Sequence, residues 1–274
     1  MDNRRMCPNC RAFITSSDST CPYCGEKTGP RAVDRRQGAD VLGGLIPQAH
    51  FTTVLILVIN LGLYIATWLV AKAEPSASTL EAFGAKWGPD IFQRHQWWRL
   101  VTAGFLHGGW LHILMNSWVL YDLGAQVEQV FGTPRFLAIY FAGTVGGFYL
   151  STLENPLIPS VGASAGIMGL IGAMIAFGVT NRSSMGRAIR NFYGRWVVYI
   201  LVLGFIPGFS VDNWAHIGGL AAGFAVGYLA ETPVRAAAAK EGLWRALGAV
   251  CVLLTVVSFV LMYMNFPTPD RAGL

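Results

Sequence analysis

Stretches of about 20 residues that are apolar on every side of a helix constrain this chain more than any other feature. The clearest is FTTVLILVINLGLYIATWLVA at residues 51–71. A soluble helix shows a single apolar stripe, whereas a helix surrounded by lipid is apolar all round. Hydrophobic residues make up 53% of the 274 residues and charged residues 13%, against about 25% charged in an ordinary soluble domain. The sequence therefore excludes a soluble globular domain and a disordered chain and indicates an all-α membrane protein.

Seven helical spans are predicted from the apolar segments and the turn-forming breaks between them. They cover approximately residues 51–71, 110–127, 136–153, 162–179, 195–209, 213–230 and 243–264. A long connection follows the first span, and its sequence His95-Gln96-Trp97-Trp98-Arg99 is typical of a membrane–water interface. Because residues 1–50 contain no continuous apolar segment, we expect no cleavable signal peptide.

The distribution of basic residues predicts a cytosolic N-terminus and a C-terminus on the opposite side. In that orientation 15 of the 20 Lys and Arg residues lie in or beside cytosolic segments, among them Arg182, Arg187 and Arg190 in a loop at 180–194. We expect an integral multi-pass protein of a bacterial plasma membrane. The net charge of +5 does not indicate nucleic acid as a partner, since in a membrane protein the placement of basic residues matters more than their sum.

The predicted domain organisation has a small cysteine-rich segment before the membrane region. We assign residues 1–30 to a zinc-ribbon-like segment, 31–50 to a linker and 51–230 to a core of six helices. The segment 231–242 is alanine-rich and charged, which is typical of a linker, and it precedes an additional transmembrane helix at 243–264.

Two CxxC pairs, Cys7-Pro-Asn-Cys10 and Cys21-Pro-Tyr-Cys24, carry four of the five cysteines. Four thiolates at this spacing can surround one structural Zn²⁺ tetrahedrally and leave no open position for catalysis. Two disulfides are disfavoured in a reducing cytosol, and a redox CxxC needs a larger fold around it. The segment could stabilise the chain, sense metal or dock a cytosolic partner, and the sequence does not choose among these roles.

Polar residues inside membrane spans are costly and are therefore candidates for function. His112 and Asn116 are four residues apart, so they lie on one helical face. Small residues spaced by about four positions let two helices approach closely. Such residues surround Ser164 in Gly162-Ala163-Ser164-Ala165-Gly166 and follow His216 at Gly219, Gly223 and Gly227. We therefore expect the two helices to pack together and to bring Ser164 within hydrogen-bond reach of His216.

This constellation can perform acyl transfer. Ser164 would be the nucleophile and His216 the general base, while His112, Asn116 and the Ser164 backbone N–H would donate to the oxyanion. Because Asp212 lies towards the loop end of its span, we predict a Ser-His dyad and not a triad. Taken singly, each residue also has a purely structural interpretation: a serine bonded to its own helix, a packed histidine, a His-Asn pair joining helices.

These residues resemble the rhomboid family of intramembrane serine proteases over residues 51–230. The matching pieces occur in the family's order: Trp98-Arg99, His112 to Asn116, Gly162 to Ser164, and Ala215-His216 with Gly219 and Gly223. The resemblance implies the same roles for Ser164, His216, His112 and Asn116, and structural roles for the remaining residues. It also implies lateral entry of a substrate helix, a cap at Pro207–Asp212, catalysis without a cofactor, and single-pass or other membrane-protein substrates with small residues at the cut.

Two positions depart from the family pattern. Ala165 replaces a common glycine after the nucleophile, and Met168 replaces a common aromatic residue. Neither change removes a proton-transfer group, so we expect activity with altered substrate preference. The alternatives are an inactive rhomboid-like protein that binds membrane clients, and a transporter or channel. The retained serine and histidine argue against the first, and the absence of inverted repeats and of paired intramembrane carboxylates argues against the second.

Overall fold

The computed structural model describes residues 4–7, 9–10, 12–15, 18–28, 51–206, 211–230 and 238–267. The chain divides into two compact units, Met1–Gln48 and Ala49–Leu274. The predicted linker at 31–50, residues 207–210 of the predicted cap and residues 231–237 of the second predicted linker lie outside the described residues.

The first unit contains a short antiparallel hairpin of β1 (Arg4–Met6) and β2 (Phe13–Thr15). An isolated antiparallel bridge joins Thr20 to Lys27. Cys7 directly follows β1, and Cys21 directly follows Thr20 of the bridge. Both cysteines are buried and contact the buried Ile14. The two cysteine pairs therefore face each other in a small knuckle with very little apolar core.

The second unit is helical. Its seven long helices occur in the predicted order and are α1 (Phe51–Ala71), α5 (Trp110–Phe131), α6 (Thr133–Glu154), α7 (Ser164–Thr180), α8 (Ser184–Leu203), α9 (Asn213–Leu229) and α10 (Ala238–Met264). The connection between α1 and α5 holds three short helices, α2 (Ala77–Ala82), α3 (Gly88–Phe92) and α4 (Arg99–Thr102), and a 3₁₀ turn at Ala103–Phe105. The predicted order of seven long helices is confirmed, whereas the short helices were not predicted.

Three helices of the described parts are long and apolar enough to cross a membrane: α1, α6 and residues Lys240–Met264 of α10. Only 17% of the apolar segment of α1 and 11% of that of α10 is buried, as expected for helices that face lipid. The apolar helix α7 has only 17 residues and is buried along nearly its whole length. Its apolar side chains therefore pack against protein and form the centre of the bundle.

Two predicted loop boundaries were wrong. The segment at 180–194 is not a loop, because α8 begins at Ser184, where the side chain of Ser183 accepts the Gly186 N–H at 3.1 Å as an N-cap. Arg187 and Arg190 therefore lie on the first turns of α8. The predicted linker at 231–242 is also too long, since α10 begins at Ala238. Hydropathy detects the apolar part of a helix and misses the part that extends beyond the apolar segment.

The central packing depends on glycine. Helix α7 packs most closely against α9 and α6. A Cβ atom on Gly143 of α6 would lie 2.8 Å from the Cα of Gly169 on α7, and a Cβ on Gly223 of α9 would overlap the Gly169 backbone. Because only glycine leaves this space free, the three helices approach at backbone contact.

Candidate active site

Ser164 is the first residue of α7 and is reached through a constrained turn. Gly162 has a φ of 134°, which favours glycine, and its N–H donates to the Ala103 carbonyl at 2.9 Å. Ser164 itself is half-buried, and its hydroxyl makes no hydrogen bond with any described residue. The first N–H groups of a helix have no acceptor within the helix. The Ser164 N–H can therefore donate a hydrogen bond to a group at this end of α7.

His216 lies in the first turn of α9 and is only 5% exposed. Among the described residues its buried Nδ1 atom has no hydrogen-bond partner. Asp212 is occupied elsewhere, since its carboxylate accepts the Ala215 N–H at 3.0 Å as the N-cap of α9 and the Ser151 hydroxyl at 2.5 Å. Asp212 thus fixes the start of the helix and does not hydrogen-bond the imidazole.

The helices that carry Ser164 and His216 meet at their first turns. A Cβ on Gly219 would overlap the carbonyl oxygen of Ala165, the residue after the serine. A Cβ on Gly147 of α6 would lie 2.5 Å from the Ala215 carbonyl oxygen and 2.8 Å from the Ala165 Cβ. The residues next to the serine and next to the histidine therefore share one contact with α6. No hydrogen bond joins the two side chains here, and such bonds often tighten only when substrate binds.

His112 approaches the serine from α5. A Cβ on Gly162 would lie 2.7 Å from Nε2 of His112 and 3.6 Å from Oγ of Ser164, so the imidazole and the hydroxyl border the same small space. His112 also packs edge-to-face on the buried His107, with ring centroids 5.1 Å apart. Asn116 follows one turn later and is buried. The His112 imidazole therefore lies beside the hydroxyl on the side of α5.

Arg99 holds the connection between α1 and α5 together. Its guanidinium forms an ion pair with Asp90 at 2.6 Å and donates to the carbonyl oxygens of Glu81 at 2.7 Å and Ala85 at 3.0 Å. It also lies over the Trp98 ring at 4.9 Å. Burial lowers the pKa of Arg99, and the neighbouring Asp90 charge opposes that shift. These contacts join Arg99 to three other parts of the connection between α1 and α5.

Lys86 was missed as a residue of the site. Its side chain is completely buried, and Nζ donates to the carbonyl oxygens of Asn155 at 2.7 Å and Ile158 at 2.8 Å. These carbonyls belong to the connection between α6 and α7, which leads to Ser164. The sequence showed only a lysine in a polar connection, and nothing in its spacing indicated burial.

The four cysteines of the first unit form a separate cluster. Their sulfur atoms all lie within 4.8 Å of one another, with 3.6 Å between Cys7 and Cys24 and 3.7 Å between Cys10 and Cys21. All four are free thiols. A tetrahedral Zn²⁺ with bonds of about 2.3 Å requires sulfur atoms about 3.8 Å apart, whereas a disulfide requires about 2 Å. The donor set and its spacing therefore fit one zinc ion.

Fold and site together define a class: a multi-pass helical membrane protein in which helices that carry a serine and a histidine meet at glycine-lined contacts. The Rhomboid domain matches residues 94–232, which is half of the chain. The chain belongs to the rhomboid family, and the predicted family and fold class are confirmed.

Relatives come from several kinds of organism. "Rhomboid protease GluP" of Bacillus subtilis (strain 168) is 35% identical over 202 residues, which cover 73% of this chain and 38% of the relative. "Rhomboid-like protease 3" of Toxoplasma gondii is 31% identical over 218 residues, or 78% of this chain and 82% of the relative. "RHOMBOID-like protein 6, mitochondrial" of Arabidopsis thaliana is 40% identical over 159 residues, or 57% and 50%. The chain thus spans half or less of the Bacillus and Arabidopsis relatives.

Proposed function

We propose that this protein is an intramembrane serine protease in which Ser164 is the nucleophile and His216 the general base. The observation that carries the proposal is the contact of the Ala165 carbonyl with Gly219, because it brings the first turn of α7 against the first turn of α9. The membership of the rhomboid family and the similarity to relatives named as proteases support the same assignment.

The reaction requires only side chains that are present at this site. The imidazole of His216 takes the hydroxyl proton while Ser164 Oγ attacks the scissile carbonyl. His112, Asn116 and the Ser164 N–H donate to the oxyanion that develops. The protonated imidazole then gives its proton to the leaving amine as the C–N bond breaks. Water, activated by the same imidazole, hydrolyses the acyl ester and returns the proton to Ser164.

The substrates would be membrane proteins cleaved in or beside a transmembrane helix. A peptide bond inside an intact helix is shielded by backbone hydrogen bonds and packing, so a substrate with a weak helix near the cut is favoured. Small residues at the scissile position fit the restricted space around Gly162. Because hydrolysis consumes water, the site must open to an aqueous face.

Labelling with a fluorophosphonate tests the assignment directly. The detergent-solubilised wild type should be labelled, whereas Ser164→Ala and His216→Ala should remain at background. Ser258→Ala is the matched control, because Ser258 lies in α10 and donates only to the Leu254 carbonyl of its own helix at 2.8 Å. Equal labelling of wild type and Ser164→Ala would exclude the protease and favour an inactive protein that binds membrane clients.

We further propose that Cys7, Cys10, Cys21 and Cys24 bind one structural Zn²⁺, since their sulfur spacing fits tetrahedral coordination. Bound zinc would supply the folding free energy that this small unit lacks in apolar core. The chemistry of the protease does not require this metal. A zinc-stabilised knuckle at residues 1–30 provides a surface on which a cytosolic partner could dock.

We also propose the orientation with the N-terminus in the cytosol, on the strength of 15 basic residues out of 20 on that side. The predicted limits of the six-helix core at 51–230 remain part of this proposal, whereas the additional helix begins at Ala238 and not at 243. A bacterial plasma membrane agrees with the Bacillus relative, and the plant and Toxoplasma relatives show that the family also occurs outside bacteria.

A further inference from the structure

Lys86 is a charged side chain with no place in the reaction above, although it is completely buried. A buried ammonium loses its hydration, and contacts with carbonyl dipoles recover only part of the lost solvation free energy. An apolar side chain of similar length would serve stability as well or better. The position of this lysine therefore calls for an explanation other than packing.

The backbone of Lys86 is paired with the segment that enters the active site. Its N–H donates to the Ser160 carbonyl at 3.0 Å, and its carbonyl accepts the Ser160 N–H at 3.1 Å. Two residues later the Gly88 N–H donates to the Pro156 carbonyl at 2.9 Å. The connection between α6 and α7 is thus attached to the connection between α1 and α5 at the lysine itself and two residues after it.

The ammonium holds the inner side of the same segment. Asn155, whose carbonyl accepts from Nζ, is the C-cap of α6, and a cation is favourable at this negative end of a helix. The Ile158 carbonyl accepts the second bond. Only a few residues separate Ile158 from Gly162 and Ser164. The ammonium therefore fixes the position at which the loop before Ser164 leaves α6.

The same end of α6 is connected to the histidine. Ser151, one turn before Asn155, donates to the Asp212 carboxylate that caps α9. The Asp212 charge acts on Lys86: burial lowers the pKa of the ammonium to about 8, and Asp212 opposes the shift. Lys86 and Asp212 therefore both hold the C-terminal end of α6, Lys86 through the Asn155 carbonyl and Asp212 through the Ser151 hydroxyl.

We infer that Lys86 is a positioning residue for the active site: its ammonium fixes the loop before Ser164 and, with Asp212, aligns that loop with the start of the His216 helix. The inference rests on the proposed protease function. Lys86 and Asp212 carry opposite charges and lie outside the reacting groups. In this inference they keep Ser164 and His216 aligned with each other.

The test compares Lys86→Met and Lys86→Gln with wild type and with Lys72→Met, an exposed lysine in the same connection as the matched control. The measurements are the second-order rate of fluorophosphonate labelling, kcat and KM on a tagged membrane substrate, and thermal unfolding in detergent. We expect Lys86→Met to lower kcat and the labelling rate by about tenfold to a hundredfold, with KM nearly unchanged. Lys86→Gln, which keeps an N–H donor, should lose less.

A double-mutant cycle with Asp212→Asn separates positioning from a general loss of stability. Asparagine still caps a helix and still accepts the Ser151 hydroxyl, so this variant removes chiefly the charge. If the pair acts as a unit, Lys86→Met combined with Asp212→Asn should be little slower than Lys86→Met alone.

Two outcomes overturn the inference without affecting the protease assignment. In the first, the Lys86 variants fold, react with the fluorophosphonate and turn over substrate at the wild-type rate, and labelling still depends on Ser164. The other is failure of both Lys86 variants to fold, which would make the lysine a stabilising residue. Labelling that does not depend on Ser164 would instead overturn the proposed function itself.

Discussion

At the scale of single residues, Gly162 controls the space in which the chemistry would occur. Its φ of 134° strains any other residue, and a Cβ there would lie 2.7 Å from His112 Nε2 and 3.6 Å from Ser164 Oγ. We expect Gly162→Ala to reduce fluorophosphonate labelling by about tenfold or more, because the methyl group displaces His112, the proposed oxyanion donor.

The control for this prediction is Gly194→Ala in α8. A Cβ on Gly194 meets no atom within 4 Å, so alanine there should leave labelling unchanged and favour the helix by up to about 1 kcal/mol. Labelling of Gly162→Ala at the wild-type rate would show that the approach of His112 to Gly162 is unimportant.

The two departures from the family pattern fit their surroundings in different ways. Ala165 has its methyl group against Gly147 of α6, so the additional carbon after the nucleophile is accommodated by a missing carbon on the facing helix. Met168 is 1% exposed and belongs to the main apolar core. Methionine adapts its shape to irregular space, which suits this position.

At the scale of helices, α10 is more than an appended span. Arg135, fully buried on α6, makes a bidentate ion pair with Glu241 of α10 at 2.6 and 3.2 Å and lies 5.2 Å from the Trp244 ring. Further along, Phe259 packs on Phe105 with ring centroids 5.2 Å apart. The helix is therefore fixed to the core at its polar start and along its apolar length.

We expect Glu241→Gln to lower the free energy of unfolding in mixed micelles by about 2 kcal/mol, because it leaves the buried Arg135 charge without its counter-charge. Glu154→Gln changes an exposed carboxylate near the end of α6 and serves as the control. If the two variants unfold alike, the ion pair does not fix α10.

The helices also show which parts of the fold the sequence could predict. The apolar segment 51–71 coincides with Phe51–Ala71, and 136–153 lies within Thr133–Glu154, since long apolar runs have few alternatives in lipid. The short helices α2–α4 were missed because they carry polar residues and are stabilised by distant partners, as Arg99 shows. Lys86 was missed for the same reason: its burial depends on carbonyls about 70 positions later in the chain.

Ser164 and His216 could be proposed from the sequence because their chemistry and their glycine neighbours are local features of it. The sequence did not show which glycine packs against which helix. Gly166, expected to pack towards the histidine helix, instead faces α6, where a Cβ would lie 2.6 Å from the Tyr140 ring and 2.7 Å from Thr144 Oγ1. Three helices meet in this core, and a single sequence does not indicate how each stripe of small residues is shared among them.

At the scale of the whole molecule, the cysteine knuckle and the helical bundle are two separate compact units. The knuckle's core consists of Cys7, Ile14 and Cys21, which is too little apolar surface to stabilise a fold in water. If metal supplies that stability, losing it should unfold the knuckle, while the bundle keeps its own helix contacts. The reaction proposed for Ser164 uses no group from the first unit.

Replacing Cys7 and Cys21 by serine should therefore abolish bound zinc, measured by atomic absorption on the purified protein, and leave the fluorophosphonate labelling rate within about twofold of wild type. Cys251→Ser in α10 is the control, because it removes a thiol without touching the cluster and should retain zinc. Retained zinc in the double variant would show that the four thiolates are not the ligand set. Loss of both zinc and labelling would show that the knuckle regulates the active site. The activity of the helical bundle would then depend on the folded first unit.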